Sequence, residues 1–269
     1  MKKKKFYTIT NDVIFKLSLQ NNLEALHKIC TIFIKDLKDD VYNPNEIRLE
    51  KTDFPSLEIK SSILDVKFQI VNKYSFDLEM QKYRPSYSLE DRIVKYHAEL
   101  IIRSYQKGED YNHLSCHSLW FLDFNNYNDD IPIHSLISDE LKNSAGSITI
   151  VEINKLKNYN KDNIWYRLFT EDDYSKLKGE DRIMDELINN IEQLNDDDSL
   201  AYLMSERYRG IIEQNALRNG DREQGLKEGR EQGRIEALKE IAYSLKKDGM
   251  PIEKIVEYTG LTIEEIESL

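Results

Sequence analysis

Apolar residues in the segment 11–36 recur at spacings of three, four or six, at Ile14, Leu17, Leu23, Leu26, Ile29, Cys30 and Phe33. That period predicts helix, with the Gln20-Asn21-Asn22 stretch as a place where it divides in two. Residues 43–56 carry Asn43-Pro44-Asn45 and Pro55 and read as loop, followed by a short strand near 57–60. Strict alternation begins at 64. LDVKFQIVNKYSFDLEMQ, residues 64–81, has the period of two expected of a β-hairpin. Pro85 ends that run, and Ser88 with Asp91 begins a helix over about 89–106. Two strand-like runs follow at 113–124 and 147–153. Helix, three strands, helix and two strands in that order call for a mixed α/β layer.

The hairpin carries the candidate chemistry. Leu64, Val66, Phe68 and Ile70 face one core together with Tyr74, Phe76, Leu78 and Met80, which leaves Asp65, Lys67 and Gln69 with Ser75, Asp77, Glu79 and Gln81 on the opposite face. A three-residue loop Asn72-Lys73-Tyr74 sets Asp65 opposite Gln81 and Lys67 opposite Glu79, so that all four converge within about 5 Å. Two carboxylates suit Mg²⁺, which polarises a phosphate and activates a bound water. A lysine or amide beside them orients that water or stabilises charge on phosphate. The plainer alternative is a hydrated hairpin with Lys67 and Glu79 as a cross-strand ion pair.

From about residue 160 the pattern is helical and strongly charged. GLKEGREQGRIEALKEIAYSLKKDG spaces Gly225, Gly229 and Gly233 by four, then Ile235, Leu238, Ala242 and Leu245 at heptad-like intervals. Each glycine costs a helix roughly 1 kcal/mol relative to alanine. The stripe therefore reads either as close helix–helix approach between subunits through residues 225–245 or as a weakly structured connector. Thr262 and Glu265 form a capping box for a last short helix. These features divide the chain into a domain over 1–200 and a helical tail over 201–269.

Composition narrows the classes. With 269 residues, 40% hydrophobic and 32% charged, the chain supports a full-sized core. No apolar run approaches the ~20 residues of a membrane span, and MKKKKFYTIT lacks the apolar region of a signal peptide. Two distant cysteines, Cys30 and Cys116, fit a reducing, cytoplasmic compartment. A net charge of −11 argues against a protein that coats DNA through a basic surface, though not against a local cleft. His113 and His117 flank Cys116, but on a strand the cysteine points away from both histidines, which disfavours zinc. Neither GxxxxGK[ST] nor GxGxxG occurs, so nucleotide binding has no support.

The acid, the spacer and the Glu-X-Gln on adjacent strands, within helix–βββ–helix–β, resemble the PD-(D/E)XK nuclease superfamily. More narrowly the chain resembles the Rpn-type recombination-promoting nucleases, often labelled PD-(D/E)XK family transposases. NDVIFK (11–16), LDVKF (64–68), DLEMQ (77–81), DRIVKYHAELIIRSYQKGEDYNHL (91–114), LWFLDF (119–124), VEINKL (151–156) and the GLKEGREQGR tail carry the likeness. The resemblance implies a restriction-endonuclease-like core, a mixed sheet flanked by helices, with an all-α tail. It also implies a DNA endonuclease using Mg²⁺ or Mn²⁺. Asp65 and Glu79 would bind metal, and Gln81 stands where the superfamily more often has lysine. A glutamine carries no charge, and Lys67 on the same face would supply it. Asp12 corresponds to an accessory acid on the first helix, or else pairs with Lys16 four residues on. Arg92 and Tyr96 face phosphate, or else form a salt bridge and a half-buried aromatic. The rival function is a non-cutting binding or regulatory protein that keeps the nuclease fold and assembles through its tail.

Overall fold

The computed structural model describes residues 5–37, 43–50, 65–70, 73–85, 88–105, 114–136 and 146–269, the side chains of 206–226 and 228 excepted. Asn11 opens helix α1 (Asp12–Gln20) by accepting from the amides of Val13 and Ile14. The expected break is present: Asn22 accepts from Ala25 N and starts α2 (Leu23–Phe33). Residues 43–46 turn through a short 3₁₀ helix into a strand, β1 (Ile47–Leu49). The loop expected over 43–56 is therefore corrected at 47–49, where Ile47 and Leu49 alternate with Arg48 and pair with Ile70 and Phe68. The strand expected near 57–60 lies outside the described residues.

The hairpin is β2 (Val66–Ile70) and β3 (Tyr74–Gln81). Ser88 caps α3 (Leu89–Ser104) by accepting from Asp91 N. Strands β4 (Ser115–Leu122), β5 (Ile133–Ser135) and β6 (Ser147–Glu152) complete a mixed sheet of order β1-β2-β3-β4-β6-β5. β3, β4 and β6 run parallel, and the outer pairs are antiparallel. β5 went unread in the sequence because three residues give too little alternation to register. Helices α4 (Ile153–Leu156), α5 (Ile164–Thr170) and α6 (Arg182–Asp196) follow, then the long α7 (Asp198–Lys247).

Both faces of the sheet are covered. On one, Phe76, Leu78 and Met80 of β3 and Leu119 and Phe121 of β4 pack with α1, α2, α5 and α6. Phe121 stacks on Phe169 with ring centroids 4.3 Å apart. On the other face, Trp120, Leu122, Ile148 and Ile150 hold Leu89 and Ile93 of α3. Alternation on β3 thus sorts residues between two interiors, and its polar side lies beneath a helix.

Contacts divide the chain into two compact units, Met1–Met204 and Ser205–Leu269. The second closes the end of α7 with α8 (Ile252–Thr259) and α9 (Ile263–Glu267) around Ala242, Ile255, Leu261 and Ile266. The capping box between Thr262 and Glu265 is formed. Leu238 and Leu245 pack within this unit, and a Cβ at Gly229 or Gly233 would meet nothing within 4 Å. Among the described residues no helix is long and apolar enough to cross a membrane.

Gly146 enters β6 at φ +77°, and a Cβ there would fall 1.7 Å from the Cys116 carbonyl oxygen. Gly146→Ala is expected to cost about 3 kcal/mol through backbone clash and left-handed strain. Thermal unfolding followed by circular dichroism checks it, and an unchanged midpoint would rule the close approach out.

Candidate metal centre

Asp65 immediately precedes β2, and Asp77 and Glu79 project from the polar side of β3. One carboxylate oxygen from each lies within 4.8 Å of the others. All three are buried, at 6%, 1% and 5% exposure. Such a group is costly without compensating cations. Lys67 Nζ lies 2.9 Å from Asp65 Oδ2 and 3.6 Å from Asp77 Oδ2. Arg92 on α3 places Nη2 3.5 Å from Glu79 Oε2 and donates Nη1 to Gln81 Oε1 at 3.0 Å. Gln81 Nε2 donates to the Tyr83 carbonyl at 2.8 Å. Tyr96, one turn on from Arg92, has that guanidinium 4.9 Å and the Lys67 ammonium 5.7 Å from its ring centroid, a cation–π arrangement on both counts.

The expected register is corrected. Lys67 pairs with Asp77, Phe68 with Phe76 and Ile70 with Tyr74, a shift of two residues from the pairing of Lys67 with Glu79. Parity survives, so the four chosen side chains keep a common face. Alternation dictates which residues share a face but not which of several equivalent partners oppose. The opposed Phe68 and Phe76 rings stack at 4.4 Å in the observed pairing. The two-residue shift brings Asp77 into the site, a carboxylate that sequence reasoning had placed on the right face without assigning it a role. The hydrated hairpin is overturned as well, since α3 buries this face.

Lys16 is the second missed residue. It is 1% exposed on α1, where burial lowers its pKa, the Asp65 carboxylate raises it and Lys67 lowers it again. A lysine inside an otherwise apolar helix face was the available signal. Asp12 sits at the start of α1, half-buried, accepting from Val13 N at 3.0 Å, and is not a member of the three-carboxylate group.

Burial dominates the electrostatics of this centre. Burial pushes Asp77 up to about 7; Lys67 opposes that and Asp65 reinforces it. Glu79 is raised well above the usual carboxylate range by burial, then by Asp65 and Asp77, against Arg92 and Lys67. Asp77 Oδ1 and Glu79 Oε1 are buried without a hydrogen-bond partner among the described residues. Buried acceptors left so are uncommon and ask for an explanation. Three clustered carboxylates with two orphaned oxygens fit a divalent, oxygen-preferring cation such as Mg²⁺ or Mn²⁺.

A second acidic group, Asp129, His134 and Glu152, lacks that property. Glu152 accepts from the amides of Asn126 and Tyr127, and its other oxygen meets His134 Nε2 at 3.2 Å and the Lys155 ammonium. Lys155 also donates to the Tyr127 carbonyl and to Asp129, both at 3.0 Å. An internal cation already fills this group, which ties the 126–134 segment to β6. His117 is likewise structural, with Nδ1 2.8 Å from Ser147 Oγ and its ring stacked on Phe76; His113 lies outside the described residues.

A family model described as PD-(D/E)XK nuclease family transposase matches residues 9–219. No curated protein matches the chain, and no solved structure does.

Because Asp77 titrates higher in the folded chain than the ~3.9 of an unfolded aspartate, the folded state holds a proton that the unfolded state has lost between about pH 4 and 7. Its contribution to stability is therefore present at low pH and is lost as pH rises through 7. In metal-free buffer, Asp77→Asn is expected to flatten the fall in unfolding midpoint between pH 5 and 8 relative to the parent. Midpoints measured in parallel across that range decide it, and parallel curves would contradict it.

Proposed function

The chain belongs to the PD-(D/E)XK nuclease family transposases, and from that premise we propose that it is a Mg²⁺- or Mn²⁺-dependent DNA endonuclease of the recombination-promoting type. The observation that carries this reading is the buried Asp65, Asp77 and Glu79 group with its orphaned Asp77 Oδ1 and Glu79 Oε1. Asp65 and Glu79 would hold the ion, as the family resemblance implies, with Asp77 as a third ligand. A divalent ion bound there supplies Lewis-acid polarisation of the phosphate and a water of lowered pKa.

The chain's own residues do the rest. β2 and β3 present the acids from adjacent strands of a sheet packed on both faces, so little reorganisation is needed to bind the ion. α3 roofs the site, excludes bulk water and strengthens each charge interaction beneath it. Lys67 flanks the acids and organises water and phosphate; Gln81 lies beside them on β3, and Arg92 and Tyr96 on the helix. In the overall reaction water adds to phosphorus, the bond to the leaving sugar oxygen breaks, and that oxygen takes up a proton. The helical tail would serve self-association through residues 225–245, in which Leu238, Ala242 and Leu245 already pack within the unit and Gly229 and Gly233 lie in open surroundings.

Purified protein is expected to nick supercoiled plasmid with Mg²⁺ or Mn²⁺ and to stop on addition of EDTA. Asp65→Ala is expected to lower the rate at least ~100-fold, the scale of losing one group that stabilises the transition state. Equal nicking by parent and variant would assign the activity to another site or a contaminant. No nicking, together with no metal binding by calorimetry, would favour the non-cutting assembly protein, a reading that the uncharged Gln81 supports.

A further inference from the structure

Gln81 has no charge to give, yet both ends of its amide are engaged. Nε2 donates to the Tyr83 carbonyl at 2.8 Å and Oε1 accepts from Arg92 Nη1 at 3.0 Å. The guanidinium so held also lies 3.5 Å from Glu79 Oε2, and it rests over Tyr96 and Trp120 with centroids 4.9 and 5.4 Å away. Contacts from β3, β4 and α3 thus restrain a side chain that would otherwise sample many rotamers, and it is only 10% exposed. Lys67 directs its ammonium to Asp65 and Asp77 instead. The position that needs a cation beside Glu79 is therefore served from the helix.

We propose that Arg92 supplies the fixed positive charge missing from the Glu-X-Gln motif, and that Gln81 is a positioning residue that holds the guanidinium beside Glu79. The inference rests on the nuclease reading. Arginine suits the task because its planar fork addresses Gln81 and Glu79 together and its delocalised charge persists at any working pH. A charge placed there offsets the negative charge that grows on a phosphate held next to the site. Its effect belongs to the transition state and is read in kcat more than in KM. Gln81 contributes by keeping that charge still, so that no reorganisation is needed as the reaction proceeds.

The test uses the full chain in Mn²⁺, with single-turnover plasmid nicking, calorimetric titration of Mn²⁺ and thermal unfolding on each variant. Arg92→Gln is expected to lower the rate ~100-fold. Its Mn²⁺ affinity should not weaken, since removing one cation beside Glu79 does not disfavour another. Gln81→Ala is expected to lose roughly tenfold in rate, with half-saturating DNA concentration unchanged. The deciding variant is Gln81→Lys combined with Arg92→Gln, which returns a cation to the motif position. It should recover about tenfold or more over Arg92→Gln alone, a rescue that a purely structural arginine would not allow. Should Arg92→Gln fail to fold, Arg92→Lys keeps the charge without the fork and is expected to stay within about tenfold of the parent. Arg92→Gln cutting at the parental rate, or a double variant no faster than Arg92→Gln, overturns the assignment. Wild-type protein that binds Mn²⁺ but does not nick overturns the nuclease reading and this inference with it. Wild-type nicking with indifferent Arg92 variants sinks this inference alone.

Discussion

Asp77 and Glu79 lie two residues apart on a strand whose two faces are both covered, so a pair of carboxylates is forced into the interior. Much of the surrounding structure answers that constraint. Lys67 comes from the neighbouring strand and Arg92 from the helix above, each bringing a cation in place of the hydration that burial removes. α3 is held in place by Leu89 and Ile93 against Trp120, Leu122, Ile148 and Ile150, and its start is secured by Ser88. The apolar contacts thus keep the polar face closed, and the cations make that closure tolerable.

The compensation is incomplete at one site and complete at the other. Around Glu152 each carboxylate oxygen has its partners, with Lys155 closing the group, which is the arrangement expected of a buried acid retained for structure. Around Asp77 and Glu79 two oxygens are left over and the carboxyl groups are pushed toward their neutral forms. The two groups differ in what they lack, and that difference separates a tether from a site able to take up a cation.

Local chemistry made several parts of this legible from the residues alone. Asn22, Ser88 and the Thr262–Glu265 box each act within a few positions of themselves, so the helix starts they make were readable. Alternation placed Asp65, Lys67, Glu79 and Gln81 on a common face, because side-chain parity is a property of the strand itself. The order of elements indicated a mixed sheet with helices, and family-level likeness ran along most of the chain.

The rest depended on groups distant in sequence. Whether Phe68 opposed Phe76 or another even-numbered residue was decided by packing across the sheet, and that choice brought Asp77 opposite Lys67. That the polar face was roofed rather than wet followed from where α3 came to rest. Lys16 reached the neighbourhood of Asp65 by the docking of α1, some fifty positions away along the chain. The sequence by itself determined which residue types were offered to each face, since period and capping are short-range. Only the tertiary structure decided which of those residues met, because register and helix docking are chosen by burial summed over the whole core.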